Sequence, residues 1–102
     1  MIADLTEPDL LTERSELSID ERFSLLADPQ RRIVIERLDR TASDVTIEAL
    51  ADHVVAELNE GTLEAAAERR RTLFTLHHNH LPRLDDHGVL EYDPATGTVT
   101  VS

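Results

Sequence analysis

The spacing of apolar positions changes several times along the chain, and each change marks an element. Residues 1–17 hold no sustained period and are expected to form a mobile arm separate from the domain at 18–102. At Ser18-Ile19-Asp20-Glu21 a capping-box pattern appears, and Phe23, Leu26 and Ala27 follow it as the apolar side of a short first helix. Asp28-Pro29 then reads as an N-cap with proline at the first helical position, where its missing N–H is no loss. Ile33, Val34 and Leu38 give this second helix its buried side. Val45 suits a strand of one or two residues and Thr46 a cap. Ile47, Leu50, Ala51, Val54, Val55 and Leu58 continue at near-ideal helical spacing.

Asn59-Glu60-Gly61-Thr62 breaks the pattern. A longer helix is expected to open near Leu63 and to stop at Gly88. Pro82 within it removes an N–H and crowds the carbonyl of His78. Because Leu84 still fits the helical stripe, the expectation is a kink and not a terminus. In the tail, Leu90 and Tyr92 and then Val99 and Val101 alternate with polar residues around Asp93-Pro94-Ala95-Thr96-Gly97, a hairpin closed by a left-handed glycine. The predicted fold is mainly α with a small β-hairpin wing, in the order α-α-β-α-α-β-β. That is the order of a winged helix-turn-helix, with its recognition helix within about 63–86 and its wing at 89–101.

Charge adds a second layer. The 102 residues carry 21 Asp and Glu against 10 basic residues, all arginine, for a net charge of −11. A lysine-free, carboxylate-rich surface suits a cytoplasm at very high salt, where screening suppresses like-charge repulsion. A GC-rich genome would favour arginine but does not demand so much acid. Only residues 29–44 and 61–83 are net positive. Cysteine is absent, which excludes disulfides, thiolate metal sites and a cysteine nucleophile. No apolar run reaches membrane-spanning length and the acidic start resembles no export signal, so a soluble cytoplasmic protein without membrane association is expected.

The runs Leu25-Leu26-Ala27-Asp28-Pro29-Gln30-Arg31-Arg32-Ile33, Thr46-Ile47-Glu48-Ala49-Leu50-Ala51 and His80-Leu81-Pro82-Arg83-Leu84-Asp85-Asp86-His87-Gly88-Val89-Leu90-Glu91-Tyr92 resemble the helices of ArsR-type repressors. The stretch from Leu76 to Asp93 is also similar to small winged-helix domains of unknown function common in haloarchaea. The resemblance spans about residues 18–93 and implies a dimeric, DNA-binding transcription regulator. The cysteine pair with which many ArsR-type proteins sense metals has no counterpart, and the wing carries no Arg or Lys.

The three histidines in His77-His78-Asn79-His80 call for an assignment. At a uniform 100° per residue over 64–86, Leu73, Phe74, Leu76, Leu81 and Leu84 form one apolar side, with His77 and His80 among them. His77, His80 and His87 would make a three-histidine stripe, but nothing in the sequence fixes a fourth ligand. They are read as core or interface histidines, with no metal or cofactor. No nucleophile, Gly-rich loop or HExxH-type spacing accompanies them, so no enzyme is expected.

Arg71, Thr72, Thr75, His78, Asn79 and Arg83 are assigned to the opposite, DNA-facing side, where Arg, Asn and Thr can read base edges. Arg31, Arg32, Arg69 and Arg70 are assigned to phosphates. The expected function is therefore a sequence-specific transcriptional regulator of a halophilic archaeon, binding double-stranded DNA as a homodimer. The alternative is an acidic winged-helix module that binds a protein partner and not DNA.

Overall fold

The computed structural model describes residues 17–41, 43–58 and 65–101. The expected arm up to residue 16 and the expected helix start near Leu63 lie outside these residues. The chain is mainly helical with one small antiparallel sheet: α1 (Ile19–Leu26), α2 (Pro29–Asp39), β1 (Val45–Thr46), α3 (Ile47–Leu58), α4 (Ala65–Thr75), a π-helical turn (Leu76–His80), α5 (Leu81–Asp86), β2 (Glu91–Asp93) and β3 (Thr98–Thr100).

The first three helices start where their local chemistry requires. Ser18 Oγ accepts from Glu21 N at 3.0 Å and Glu21 Oε1 accepts from Ser18 N at 2.8 Å, so the box satisfies two orphan donors of α1. Asp28 Oδ1 accepts from Gln30 N at 2.8 Å and Arg31 N at 3.3 Å, with Pro29 opening α2. Thr46 Oγ1 accepts from Ala49 N at 3.1 Å and caps α3. At the far end Gly88, at φ +74°, closes a Schellman motif: Val89 N donates to Leu84 O and Gly88 N to Asp85 O, both at 2.9 Å.

The sheet order is β1-β3-β2, with Val45 opposite Val99 and Tyr92 opposite Val99 on its other flank. Gly97 turns the hairpin at φ +73°, and its carbonyl accepts from Ile47 N at 2.8 Å, which fixes the hairpin to the start of α3. The core gathers Leu25, Val34, Ile35, Leu50, Val54, Leu76, Leu81, Leu84, Val89 and Val99 from every layer. Leu17 is buried in the same cluster, so the folded unit begins at least one residue earlier than the periodicity suggested.

The long helix runs on through Pro82, as expected, but by a different device from a simple kink. Leu81 N donates to Leu76 O, five residues back, in place of the usual four. The extra residue opens the backbone ladder just where the proline ring would meet the carbonyl of His78. An added residue also turns everything beyond it by about 100° relative to an uninterrupted α-helix. This rotation corrects two expectations. Thr72, assigned to the outer face, is only 3 % exposed, while Phe74, assigned to the apolar stripe, is 65 % exposed. Before the turn the inner line is Thr72, with Leu73 partly buried beside it; Leu76 and His80 continue it at the two ends of the turn, and Leu81 and Leu84 beyond.

Candidate nucleic-acid interface

The outer side of α4–α5 is built from the helix outward. Arg70, Arg71, Phe74, His78, Asn79 and Arg83 are exposed along it, with Thr75 half-buried at its edge. Arg71 Nη2 pairs with Glu68 Oε1 at 2.5 Å, one turn back on the same helix. The Thr75 hydroxyl donates to Arg71 O at 2.9 Å, one turn back. Phe74 lies against His78, ring centroids 4.4 Å apart, and His78 meets His77 edge-on at 4.5 Å. His77 Nδ1 shares a hydrogen bond of 2.6 Å with the Tyr92 hydroxyl, so this line of rings links the helix face to the β2–β3 hairpin. Burial, with Glu48 and Asp93 nearby, holds the Tyr92 phenol above its ordinary pKa, so it remains a neutral hydroxyl.

Of the four arginines assigned to phosphates, Arg32 and Arg70 are exposed, and neither has a side-chain partner among the described residues. Arg69 Nε donates to Asp52 Oδ1 of α3 at 2.6 Å, which joins α3 to α4 and offsets much of its charge. Arg31 must be reassigned. It is 9 % exposed; its Nε donates to Leu25 O at 3.0 Å and its Nη2 to Ser24 O at 3.1 Å. These are carbonyls of the last turn of α1, where Ser24 O also accepts from Ala27 N at 3.3 Å and Pro29, four residues after Leu25, has no N–H to give. The guanidinium caps α1 and does not reach outward.

The third contact of Arg31 explains His80. Arg31 Nη1 donates to His80 Nδ1 at 3.4 Å, so Nδ1 is the acceptor and the proton of the neutral ring sits on Nε2. That nitrogen faces Asp28 Oδ1 at 3.6 Å. Burial pushes the His80 pKa below its ordinary value, opposed by Asp28 and reinforced by Arg31 and Arg83. The ring is a neutral bridge between the α1–α2 corner and the long helix. His87 is used differently: its Nδ1 donates to Arg83 O at 2.8 Å, and Nε2 lies 3.9 Å from Glu21 of α1. The three histidines of the expected stripe thus have separate partners, and among the described residues no three His, Asp or Glu side chains form a group able to hold a metal.

The β2–β3 hairpin presents the opposite charge. A hollow of about 610 Å³ on its face is lined by Asp85, Glu91, Tyr92, Asp93, Thr96, Thr98 and Thr100, with no cation among them. That face repels phosphate.

One family pattern, described as a domain of unknown function, matches residues 23–100. The chain belongs to the DUF7344 family. No characterised protein and no solved structure matches it. The DUF7344 match runs from the middle of α1 through β3 and so takes in the whole of the α4–α5 face, the Arg31–His80 bridge and the β2–β3 hairpin. No helix among the described residues is long and apolar enough to cross a membrane. The residue that sequence reasoning missed in this DUF7344 domain is Phe74. Its one available signal was Pro82, which marks where a uniform helical period fails.

Proposed function

We propose that this DUF7344 domain is a winged helix-turn-helix that reads duplex DNA sequence-specifically as a transcriptional regulator in a salt-rich archaeal cytoplasm. Helix, strand, helix, long helix and hairpin follow one another in winged-helix order, and the first strand pairs with the last as that fold requires. The resemblance to ArsR-type helices supports the same reading by analogy.

The observation that carries it is the outer face of α4–α5. In a chain of net charge −11, this face gathers Arg70, Arg71, Asn79 and Arg83 beside exposed rings. Arginine and asparagine are the side chains best suited to guanine and adenine edges. An acidic body is compatible with this in molar salt, where a charge is screened within about 3 Å. Counterion release contributes little there, so affinity must come from base edges and DNA shape. Reading two half-sites needs a dimer, and α1 offers a surface for one: Ile19 and Phe23, four residues apart, are both exposed.

The test is selection of bound duplexes from a random pool in molar KCl, followed by titration of the selected site. Asn79→Ala should cost about 1–3 kcal/mol there and relax preference at one base pair. The acidic wing favours the second reading, a protein-interaction module. That reading takes over if no duplex is enriched in molar KCl while the protein is folded.

A further inference from the structure

We infer that Phe74 is a specificity-determining residue that reads thymine 5-methyl groups in the major groove. This deepens the DNA-binding reading and rests on it. Phe74 is the one large apolar side chain left exposed on α4, the π-helical turn or α5; the others among the described residues lie on α1 and α3. Its position is central. The rotation introduced at Leu76–His80 brings the exposed positions on both sides of that turn onto one ridge, diametrically opposite Leu76 and Leu84. Arg70 and Arg71 flank Phe74 one turn below, and His78 lies one turn above.

The ring is also held. Its contact with His78 continues through His77 to the hydroxyl of Tyr92, so the wing's first strand sets the orientation of the helix face. A held aromatic face loses little freedom on binding. An apolar surface flanked by Arg70 and by Arg71, the latter paired with Glu68, suits a groove whose walls are phosphate and whose floor carries apolar methyls. Thymine is the base that displays such a group there. The contact also fits the expected solvent, because apolar burial does not weaken as salt screens charge.

The experiment uses the full chain in molar KCl and the duplex selected in that salt. Each thymine in turn is replaced by uracil, which lacks only the 5-methyl group. Wild-type protein should lose about three- to fivefold in affinity at one or two positions, the effect of one buried methyl. Phe74→Ala should lose a similar factor on the thymine duplex and become indifferent to uracil at those positions. Helical circular dichroism and sedimentation accompany each titration. Equal wild-type affinity for every uracil duplex overturns the proposal and leaves DNA binding standing, as does Phe74→Ala keeping the thymine preference. A change of oligomeric state in Phe74→Ala places the ring in a protein seam and also overturns it. Absence of any bound duplex removes both this inference and the reading beneath it.

Discussion

Replacing Arg31 by methionine keeps the aliphatic stem and removes the charged head. The guanidinium makes three contacts, to Leu25 O at 3.0 Å, Ser24 O at 3.1 Å and His80 Nδ1 at 3.4 Å. A hydrogen bond from a charged donor contributes roughly 1.5–3 kcal/mol, and a buried acceptor left without a partner costs about 1–3 kcal/mol. Leu25 O lies in the core, whereas Ser24 O is partly accessible and can turn to water. The substitution also relieves the burial of a charge, the main cause of the lowered pKa of Arg31. Setting the lost bonds against that relief gives a net loss of roughly 2–4 kcal/mol. For a domain of this size that is a fall in Tm of roughly 10–20 °C. Urea unfolding in molar KCl, followed by circular dichroism, measures the loss directly. Arg32→Met is the control, since Arg32 is the next residue of α2, is exposed, and should lie within about 0.5 kcal/mol of wild type. Equal stability of the two variants would refute the assignment of Arg31 as the cap of α1. So would a folded Arg31→Met that weakens binding to all duplexes alike, the signature of a phosphate contact.

Four further outcomes follow from named features. His80 has its pKa held below the ordinary 6.5 by burial, so the unfolded chain takes up the proton first. Stability should therefore be full above pH 6.5 and fall as pH drops through the window down to the folded pKa, and His80→Gln should flatten that slope in pH-dependent urea melts. Glu21, lowered by its bonds to Ser18, acts in a separate acid window: its contribution is present above 4.5 and lost at lower pH, in wild type and His80→Gln alike. Gly97→Ala places a Cβ 3.2 Å from Ile47 Cγ2 at φ +73°, and thermal melts should show a loss of about 1–3 kcal/mol. Finally, with net charge −11, added KCl should raise Tm and restore any helical signal lost in dilute buffer. A Tm indifferent to KCl up to molar concentration would remove the salt-adaptation argument.

The features legible in the sequence are those whose causes are local. Ser18 with Glu21, Asp28 with Pro29, Thr46, Gly88 and Gly97 each act over at most five residues. Each was found in its expected place because the pattern that signals it is also the interaction that holds it. The reverse is true of Arg31. On paper it is one of two adjacent cations on a basic segment, indistinguishable from Arg32. Only the close return of α2 on α1 places the carbonyls of Ser24 and Leu25 within reach of one arginine and not the other. Leu17 is similar: nothing in its neighbours' period marks it, yet it is buried in the core cluster.

The outer face of the long helix fails in a more instructive way, because the error has one cause and a fixed size. A single period carried from Leu63 to Asp86 assumes that every turn contains the same number of residues. Leu76–His80 contains one more, so the two halves of the helix obey the same rule with different origins. Fitting one origin to both fixes the second half, where Leu81 and Leu84 are strongest, and misplaces the first. Thr72 and Phe74 then exchange faces while Asn79 and Arg83 stay where they were expected. Pro82 is what makes the extra residue favourable, and it lies six residues beyond the start of the shift. A proline inside a helical pattern therefore carries more than a choice between kink and stop. Where apolar positions continue on its far side, it marks a break in phase, and the residues before it have to be assigned from their own buried line. Applied here, that rule selects Thr72, Leu73 and Leu76 as the inner line of α4 and leaves Phe74 facing out.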